Sequence, residues 1–218
     1  MSYFDAVKGR ESIAALVNRV WPEGDSSLID AWAKFAELTV RWAKKTDLVA
    51  SSTVDGLMDV LFLDAVYLLR ESMLEGSASI IDVGAGVGAP AIPLALALPN
   101  TDWTLVEPRR RRVVFLRMAV GTLDLASRVS VVEGKIEGES GRLGGFDHAM
   151  SRATFPAEEW LEIGRALAPA VTLFAGPSGL PDAAQVGAPT CSVGYETLER
   201  GTARSLGLYR RLSESEPE

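Results

Sequence analysis

The sequence is poor in the residues that build disulfides, metal sites and catalytic triads. Its 218 residues include one cysteine, Cys191, and one histidine, His148. A single cysteine excludes an internal disulfide and any cysteine-rich metal site, and a single histidine argues against a histidine metal site or a serine-protease-like triad. We therefore expect no resident metal. We also expect a cytosolic chain, because residues 1–10 lack the basic-then-apolar order of a secretory signal.

Long apolar runs and an excess of positive charge are also missing. Hydrophobic residues make up 47% of the chain, yet no uninterrupted apolar stretch reaches the length of a membrane-spanning helix. That apolar fraction and this length suit one α/β domain with a full core. The formal net charge of −7 counts against a large nucleic-acid footprint, although it leaves room for a local one. No membrane partner is expected.

The first third of the chain has the periodicity of helices. Apolar residues recur three to four positions apart in three segments, at residues 12–20, about 28–44 and about 54–71. Gly76 and Ser77 then mark a break. We therefore expect an N-terminal helical extension over residues 1–76.

Beyond the break, short apolar strands alternate with helices. Five strands are indicated, at residues 80–83, 104–107, 129–132, 146–150 and 171–174. Such alternation predicts a mostly parallel sheet covered by helices on both faces. Segments 192–198 and 205–211 add a predicted hairpin, which brings the sheet to seven strands. The predicted fold class is thus doubly wound α/β, in a domain over residues 77–212 that is followed by an acidic tail at 213–218.

A glycine-rich loop follows the first predicted strand. Gly84, Gly86 and Gly88 occupy every second position, as in a tight turn that lets a ligand approach the backbone closely. Asp82 precedes the loop. Glu107 ends the next predicted strand, where a carboxylate can accept hydrogen bonds from two ribose hydroxyls. Because parallel sheets bind nucleotides at this edge, the segment predicts a nucleoside-containing cofactor.

Two cofactors fit this loop. Gly84-x-Gly86-x-x-Ala89 also satisfies the dinucleotide fingerprint, with Glu107 about 20 residues on, so an NAD-dependent oxidoreductase is one alternative. An acid two residues before the loop suits the cationic methionine end of S-adenosyl-L-methionine and would repel a pyrophosphate. Asp82 therefore favours a methyltransferase. The predicted C-terminal hairpin is also typical of class I methyltransferases, whose final strands are antiparallel.

Several segments together resemble one family. They are residues 38–50, 63–66, 81–95, 111–117 and 151–153. The second reads Leu-Asp-Ala-Val where the family has Leu-Asp-Ser-Leu, and the third extends the glycine loop with Pro90 and Pro93. On these motifs the chain resembles the GidB-type 16S ribosomal RNA guanine-N7 methyltransferases, over most of its length. The resemblance implies a Rossmann-like fold, S-adenosylmethionine as cofactor, and ribosomal RNA or the small ribosomal subunit as partner.

The resemblance also implies cofactor contacts in loops that follow strands, at Gly84, Ala89, Glu107, Ile136, Glu137 and Arg152. Asp82, Gly86 and Gly88 complete the predicted cofactor-binding set. For Ile136 an ordinary core position is the alternative. For Arg152 the alternative to a contact with the cofactor carboxylate is a salt bridge to Asp147 or Glu158.

Methyl transfer to guanine N7 makes few demands on side chains. The sulfonium leaving group departs neutral and N7 carries a free lone pair, so neither an acid nor a base is required. Alignment and desolvation can supply most of the acceleration. Ser151 and Arg152, at the end of the fourth predicted strand, are the expected catalytic residues. His148, inside that strand, is expected to be structural.

Six cations are candidate RNA contacts: Arg109, Arg110, Arg111, Arg112, Lys44 and Lys45. The four arginines begin a predicted helix, where the macrodipole disfavours cations and a phosphate-bearing partner would offset the cost. The two lysines, with Trp42, would add a basic-aromatic edge. For the arginines, the alternative is that they are solvated and paired with surface acids. Core packing is the expected role of the aromatic stripe of Trp32, Phe35 and Trp42.

The chain departs from the family on the substrate side. Val60-Leu61 stands where the family has Arg-His, Ala43 replaces an asparagine, and residues 174–177 read Phe-Ala-Gly-Pro in place of Lys-Gly. These changes remove polar and cationic groups. They leave two further alternatives open, a methyltransferase of small molecules and a cofactor-binding protein without catalysis.

Overall fold

The computed structural model describes residues 6–43, 51, 53–136 and 145–211. Its first third is helical: α1 (Ala6–Val20), α2 (Leu28–Ala43), α3 (Val54–Met58), a π-helical turn (Asp59–Leu63) and α4 (Asp64–Arg70). The predicted third helix is thus one continuous element that contains a π-helical turn, a distortion often found at functional sites. None of the helices in the described ranges has the length and apolar composition that a membrane crossing needs.

Seven strands form one sheet: β1 (Ser79–Val83), β2 (Asp102–Glu107), β3 (Val129–Glu133), β4 (His148–Ser151), β5 (Ala170–Ala175), β6 (Cys191–Glu196) and β7 (Ala203–Arg210). Their spatial order is β3-β2-β1-β4-β5-β7-β6. The first five are parallel, whereas β7 is antiparallel to β5 and to β6. The predicted doubly wound, mostly parallel seven-stranded sheet is confirmed.

Within the described ranges, four helices lie between the strands: α5 (Ala91–Ala97), α6 (Arg110–Thr122), α7 (Ala157–Leu167) and the short α8 (Ala183–Val186), which the sequence pattern did not predict. The central strand β1 is buried along almost its whole length, as expected of a parallel strand with both faces covered. Its β-branched residues, including Ile80 and Ile81, suit that position.

The N-terminal helices pack against the sheet domain through aromatic side chains. The Trp32 indole donates to the carbonyl oxygen of Pro93 in α5 at 3.1 Å and stacks on Phe62 with ring centroids 5.2 Å apart. Phe35 is fully buried beside them. Trp42 is half-buried and its ring lies 5.8 Å from that of Phe115 in α6. Core packing is therefore the role of this stripe in the described structure.

The π-helical turn also anchors the C-terminal hairpin. The two carboxylate oxygens of Asp59 accept hydrogen bonds from the backbone N–H groups of Leu198 and Glu199, at 2.6 and 3.0 Å. Burial raises the pKa of Asp59, and the two N–H donors oppose that shift. This contact fixes the hairpin next to the carboxyl edge of the parallel strands.

Candidate active site

The loop after β1 has the backbone conformation that its glycines predict. Gly84, Gly86 and Gly88 have φ values of +77°, +60° and +81°, in the left-handed region that side chains disfavour. The N–H groups of Gly84 and Ala85 donate to the carbonyl oxygen of Val106, at 2.8 and 3.0 Å. The loop is therefore tied to the end of β2, where Glu107 lies.

Close packing adds a second requirement at two of the glycines. A Cβ atom on Gly84 would lie 2.1 Å from the Thr154 hydroxyl oxygen, and one on Gly88 would lie 2.6 Å from Ile92 Cδ1. At Gly86 the nearest atom would be 3.7 Å away, so the space above this residue is open. Gly86 thus leaves room for a ligand, whereas the other two let neighbouring elements approach.

Glu107 is buried at the end of β2 and faces the loop. Its Oε2 accepts a hydrogen bond from the Gly86 N–H at 2.9 Å, and its Oε1 accepts one from the Arg109 N–H at 2.8 Å. An ionised carboxylate has about four lone-pair sites, so each oxygen keeps capacity for another donor. The two backbone bonds fix the orientation of the Glu107 carboxylate.

Asp82 is buried at the end of β1 with unmet hydrogen-bonding capacity. Its side chain is 2% exposed, and among the described residues Oδ2 has no hydrogen-bond partner. Burial raises the pKa of Asp82 to about 7; the positive charge of Arg152 opposes this shift and the negative charge of Glu107 adds to it. A buried carboxylate that lacks a partner is costly unless a cation or donor completes it.

These residues fit S-adenosylmethionine at the carboxyl edge of the sheet. The orphan oxygen of Asp82 suits an ammonium group, Glu107 suits ribose hydroxyls, and the open space at Gly86 admits a ligand. Ala89 is buried in the principal core, and Ile136 is buried in a second cluster that includes Val83 and Val106. Glu137 lies outside the described residues.

The two predicted catalytic residues lie at the end of β4 but have other contacts. The Ser151 hydroxyl is buried and donates to the carbonyl oxygen of Val83 at 2.7 Å, which joins the ends of β1 and β4. Arg152 pairs with Asp64 rather than with Asp147 or Glu158. Asp147 instead accepts hydrogen bonds at the start of β1.

His148 is a structural residue, as expected. It is fully buried and its Nε2 lies 2.7 Å from the Thr172 hydroxyl on the neighbouring strand. Burial, with a smaller contribution from the positive charge of Arg210, lowers the pKa of His148 to about 3. The ring is neutral at physiological pH and lies inside the sheet.

A cavity of about 380 Å³ opens beside the end of β4. The π-helical turn and α4 line one side, the ends of β4 and β5 form its floor, and the hairpin closes the far side. Its lining includes Val60, Asp64, Arg152, Phe174, Tyr195 and Arg204. The volume is at the small end of the range for ligand pockets, roughly 300–1,000 Å³.

Asp64 organises the polar side of this cavity. Its Oδ2 lies 2.7 Å from Arg152 Nη1, while its Oδ1 accepts from the Tyr195 hydroxyl at 2.6 Å and from Arg204 Nη1 at 3.2 Å. Burial and the Asp64 charge raise the pKa of Tyr195, so that phenol stays protonated and donates. Two arginines against one aspartate leave this polar side with net positive charge.

The departures from the family pattern meet in this cavity. Val60 lines it from the π-helical turn, and residues 174–176 line it from the end of β5. Leu61 points into the core instead and is fully buried. Ala43 is half-buried at the end of α2. Two sequence changes that are far apart in the chain therefore alter the lining of one cavity.

The predicted RNA-contacting arginines divide into two groups. Arg109, Arg110 and Arg111 are exposed, and no described acid forms an ion pair with them. Arg112 is half-buried and turns toward the glycine loop, with Nη1 4.0 Å from Glu107 Oε2. The alternative to RNA contact, pairing with surface acids, is thus absent for the first three within the described part of the chain. Lys44 and Lys45 lie outside the described residues.

Sequence reasoning did not single out Asp64, Tyr195 or Arg204. Asp64 was visible only as part of the Leu-Asp motif. The other two lie on the hairpin, where β7 runs antiparallel to β5 and pairs Ser205 with Ala175. This pairing brings the first residues of β7 to the carboxyl edge of the parallel strands. Knowledge of the hairpin register would have been needed to identify Tyr195 and Arg204 as cavity residues.

Comparisons with known proteins identify the family that this chain is similar to. Residues 29–175 match the model of the GidB family, described as rRNA small subunit methyltransferase G. The chain is 31% identical over 164 residues to the ribosomal RNA small subunit methyltransferase G of an Anaeromyxobacter species, covering 75% of this chain and 74% of that protein. A protein of the same name from Nitratidesulfovibrio vulgaris is 31% identical over 169 residues, with 73% and 77% covered.

The fold likeness extends to more distant proteins. The structure of the O-methyltransferase TomG from Streptomyces achromogenes, solved in complex with SAM, superposes with a TM-score of 0.54. It covers 83% of this chain and 90% of that one at 19% sequence identity. At this identity the likeness concerns the fold alone.

Proposed function

Because the chain belongs to the GidB family of rRNA small subunit methyltransferase G proteins, we propose that it methylates N7 of a guanine in small-subunit ribosomal RNA. The chain is an S-adenosylmethionine-dependent methyltransferase by family and by fold. The acceptor, the acceptor atom and the residues that serve them are the proposed part.

We assign each part of the methyl donor to residues at the carboxyl edge of the sheet. Bound S-adenosylmethionine would supply an electrophilic methyl group on a sulfonium sulfur. Asp82 would receive its amino group, Glu107 would hold the ribose, and Gly86 would let the ligand pass close to the backbone. Ile136 would flank the adenine, and Glu137 stays a proposed cofactor contact. Arg152 lies between this loop and the cavity, and Ser151 holds the strand ends that position both.

The contacts of the polar side chains around the cavity are the observation that favours one kind of methyl acceptor. Asp64 is the acid of the described lining, and it is held by two arginines and a tyrosine. The Ser151 hydroxyl donates a hydrogen bond to a backbone carbonyl oxygen. His148 is neutral and is buried inside the sheet. No described group of the cavity lining is poised to remove a proton, so the geometry favours an acceptor that already has a free lone pair. Guanine N7 is such an atom.

A basic helix face next to the cofactor edge supports an RNA substrate. Arg109, Arg110 and Arg111 begin α6, which has no acid in its first turn. Val114 lies one turn further along and is 48% exposed, which places an apolar spot beside these cations. Phosphate contacts of this kind position nucleic acid without reading its sequence. Arg112 extends the proposed surface toward the cofactor loop, and Lys44 and Lys45 remain proposed RNA contacts.

The direct test is methyl transfer in vitro. Small ribosomal subunits from cells that lack this protein are incubated with the purified chain and methyl-labelled S-adenosylmethionine, and the RNA is digested for mass spectrometry. We expect one labelled 7-methylguanosine that is absent without the chain. Unlabelled RNA, together with labelling of a small-molecule extract, would favour the alternative that the net acidity and Val60-Leu61 suggest, a small-molecule acceptor.

A further inference from the structure

We propose that the cavity between the π-helical turn, β4, β5 and the hairpin is the pocket for the acceptor base, with Phe174 as the ring on which that base stacks. The inference rests on the proposed function and deepens it, because it assigns the acceptor site to residues that differ from the family pattern. Phe174 belongs to the Phe-Ala-Gly-Pro segment that replaces the family's Lys-Gly, so this chain would hold the base by stacking.

The position of the cavity in the sheet is the first argument. The cofactor residues lie at the ends of β1 and β2, and the cavity lies at the ends of β4 and β5, the next strands across the sheet. Arg152 follows β4, lines the cavity and acts electrostatically on Asp82 at the end of β1. An acceptor in this cavity is therefore a neighbour of the methyl donor.

The lining of the cavity includes an aromatic side chain that suits a flat ring system. Phe174 is half-buried and contributes to the wall, and Val60 contributes from the π-helical turn. A base must leave the RNA stack before an enzyme can reach its atoms in an enclosed pocket, and stacking on an aromatic side chain compensates for that loss. A volume of about 380 Å³ suits a nucleotide better than a larger ligand.

The polar side of the cavity favours a base whose edge is rich in hydrogen-bond acceptors. Arg152 and Arg204 each use Nη1 to contact Asp64, and their other guanidinium nitrogens have no partner among the described residues. Arginine has donors only. Guanine presents the acceptor O6 next to N7, whereas adenine presents an amino donor there. The free donors therefore favour guanine, and a bond to O6 leaves N7 free for the methyl group.

The test combines two Phe174 variants with a matched control. Phe174→Leu removes the ring, and Phe174→Tyr keeps it. Phe146→Leu makes the same change at a half-buried phenylalanine just before β4, at the opposite edge of the sheet. We expect kcat/KM for the ribosomal substrate to fall about tenfold in Phe174→Leu, because one lost base stack has about that effect. Phe174→Tyr should recover most of that loss, and Phe146→Leu should stay within about twofold of the wild type. The affinity for S-adenosylmethionine should not change in any of them.

A nucleotide titration makes the inference independent of the ribosomal substrate. Guanosine 5′-monophosphate is titrated into the protein saturated with S-adenosylhomocysteine and followed by NMR, with adenosine 5′-monophosphate as control. We expect the guanine nucleotide to perturb cavity resonances and to bind at least fivefold more tightly than the adenine nucleotide, with that preference weakened by Phe174→Leu.

The outcomes separate the two proposals. If the wild-type chain methylates the RNA and Phe174→Leu behaves like Phe146→Leu, the base pocket is wrong while the function stands. If the wild-type chain leaves ribosomal RNA unmodified yet prefers guanine nucleotides in this cavity, the pocket stands and the RNA substrate fails. If the wild-type chain binds the two nucleotides equally, the proposed base pocket is wrong. This outcome can be observed even where a variant fails to fold.

Discussion

Arg152 and Asp64 form an ion pair, with 2.7 Å between Nη1 and Oδ2, that joins the end of β4 to the start of α4. Arg152 also donates to the carbonyl oxygen of Val60 at 2.9 Å, within the π-helical turn. The N-terminal helices are thus coupled to the sheet at the candidate active site. The aspartate is buried, whereas about a fifth of the Arg152 side chain is exposed, so loss of the acid leaves a cation that water partly solvates.

Removal of the Asp64 carboxylate should destabilise the protein. Asp64→Ala leaves Arg152, Arg204 and the Tyr195 hydroxyl without their shared acceptor. The expected loss of unfolding free energy is about 3 kcal/mol, the low end for breaking a buried pair, because both arginines reach solvent. Urea unfolding followed by circular dichroism measures it.

The control for this variant is an exposed ion pair. Asp30 pairs with Arg10 on α1, and both side chains are more than half exposed. Asp30→Ala should cost less than about 1 kcal/mol. Equal losses in the two variants would mean that Asp64 does not organise the cavity as its contacts indicate.

Gly84→Ala should impair both folding and cofactor binding. Gly76→Ala is the matched control, since Gly76 has φ +78° against +77° for Gly84 but no atom within 4 Å of an added Cβ. Both variants carry the left-handed strain, about 1–2 kcal/mol, and Gly84→Ala adds a clash with Thr154. Thermal unfolding and calorimetry with S-adenosylmethionine should show the larger loss at Gly84, partly restored by Thr154→Ala. Identical melting curves for the two glycine variants would contradict the packing argument.

The fold class and the position of the glycine loop could be predicted from the sequence because both depend on local pattern. Apolar runs of strand length and the glycine loop lie within short segments, and strand–helix alternation predicts a parallel sheet covered by helices. The order of the strands in the sheet was not predicted. The acceptor side depends on contacts between distant segments, such as those of Asp64 with Tyr195 and Arg204. No local periodicity reports them. The π-helical turn was missed for the same reason, since its apolar spacing resembles that of an ordinary helix.

The exposed arginines of α6 should dominate the salt dependence of RNA binding. Each phosphate contact contributes about 0.7–0.9 to the slope of log K against log salt. Arg110→Ala combined with Arg111→Ala should therefore reduce that slope by about 1.5, measured by fluorescence anisotropy with small-subunit RNA. Arg19→Ala, an exposed arginine on α1, is the control and should have little effect. An unchanged slope in the double variant would place RNA binding elsewhere.

His148 should make the fold less stable as pH falls below about 6.5. The unfolded imidazole titrates near its ordinary pKa of about 6.5, whereas the pKa of His148 in the fold is lowered to about 3. Between these values the unfolded chain binds a proton that the folded chain does not. The free energy of unfolding should therefore decline by at most about 1.4 kcal/mol per pH unit. His148→Gln removes this slope, and the difference between the two unfolding curves isolates it. A constant difference from pH 4 to pH 7 would refute the assignment.

Asp82 should make cofactor affinity depend on pH near neutrality. In the ligand-free protein burial raises its pKa to about 7, so a large part of the population is protonated at pH 6. The cationic amino group of S-adenosylmethionine favours the ionised form, and binding must then release a proton. Affinity should rise about tenfold between pH 5.5 and pH 7 and level off above, because only the ionised fraction is competent to bind.

Calorimetry in two buffers of different ionisation enthalpy measures both the affinity and the proton released. Asp82→Asn should bind weakly and without this pH dependence, whereas Asp102→Asn, an exposed acid at the opposite end of β2, should follow the wild type. If the Asp82→Asn protein kept the wild-type pH profile, the cation of the methyl donor would have to be held by another group.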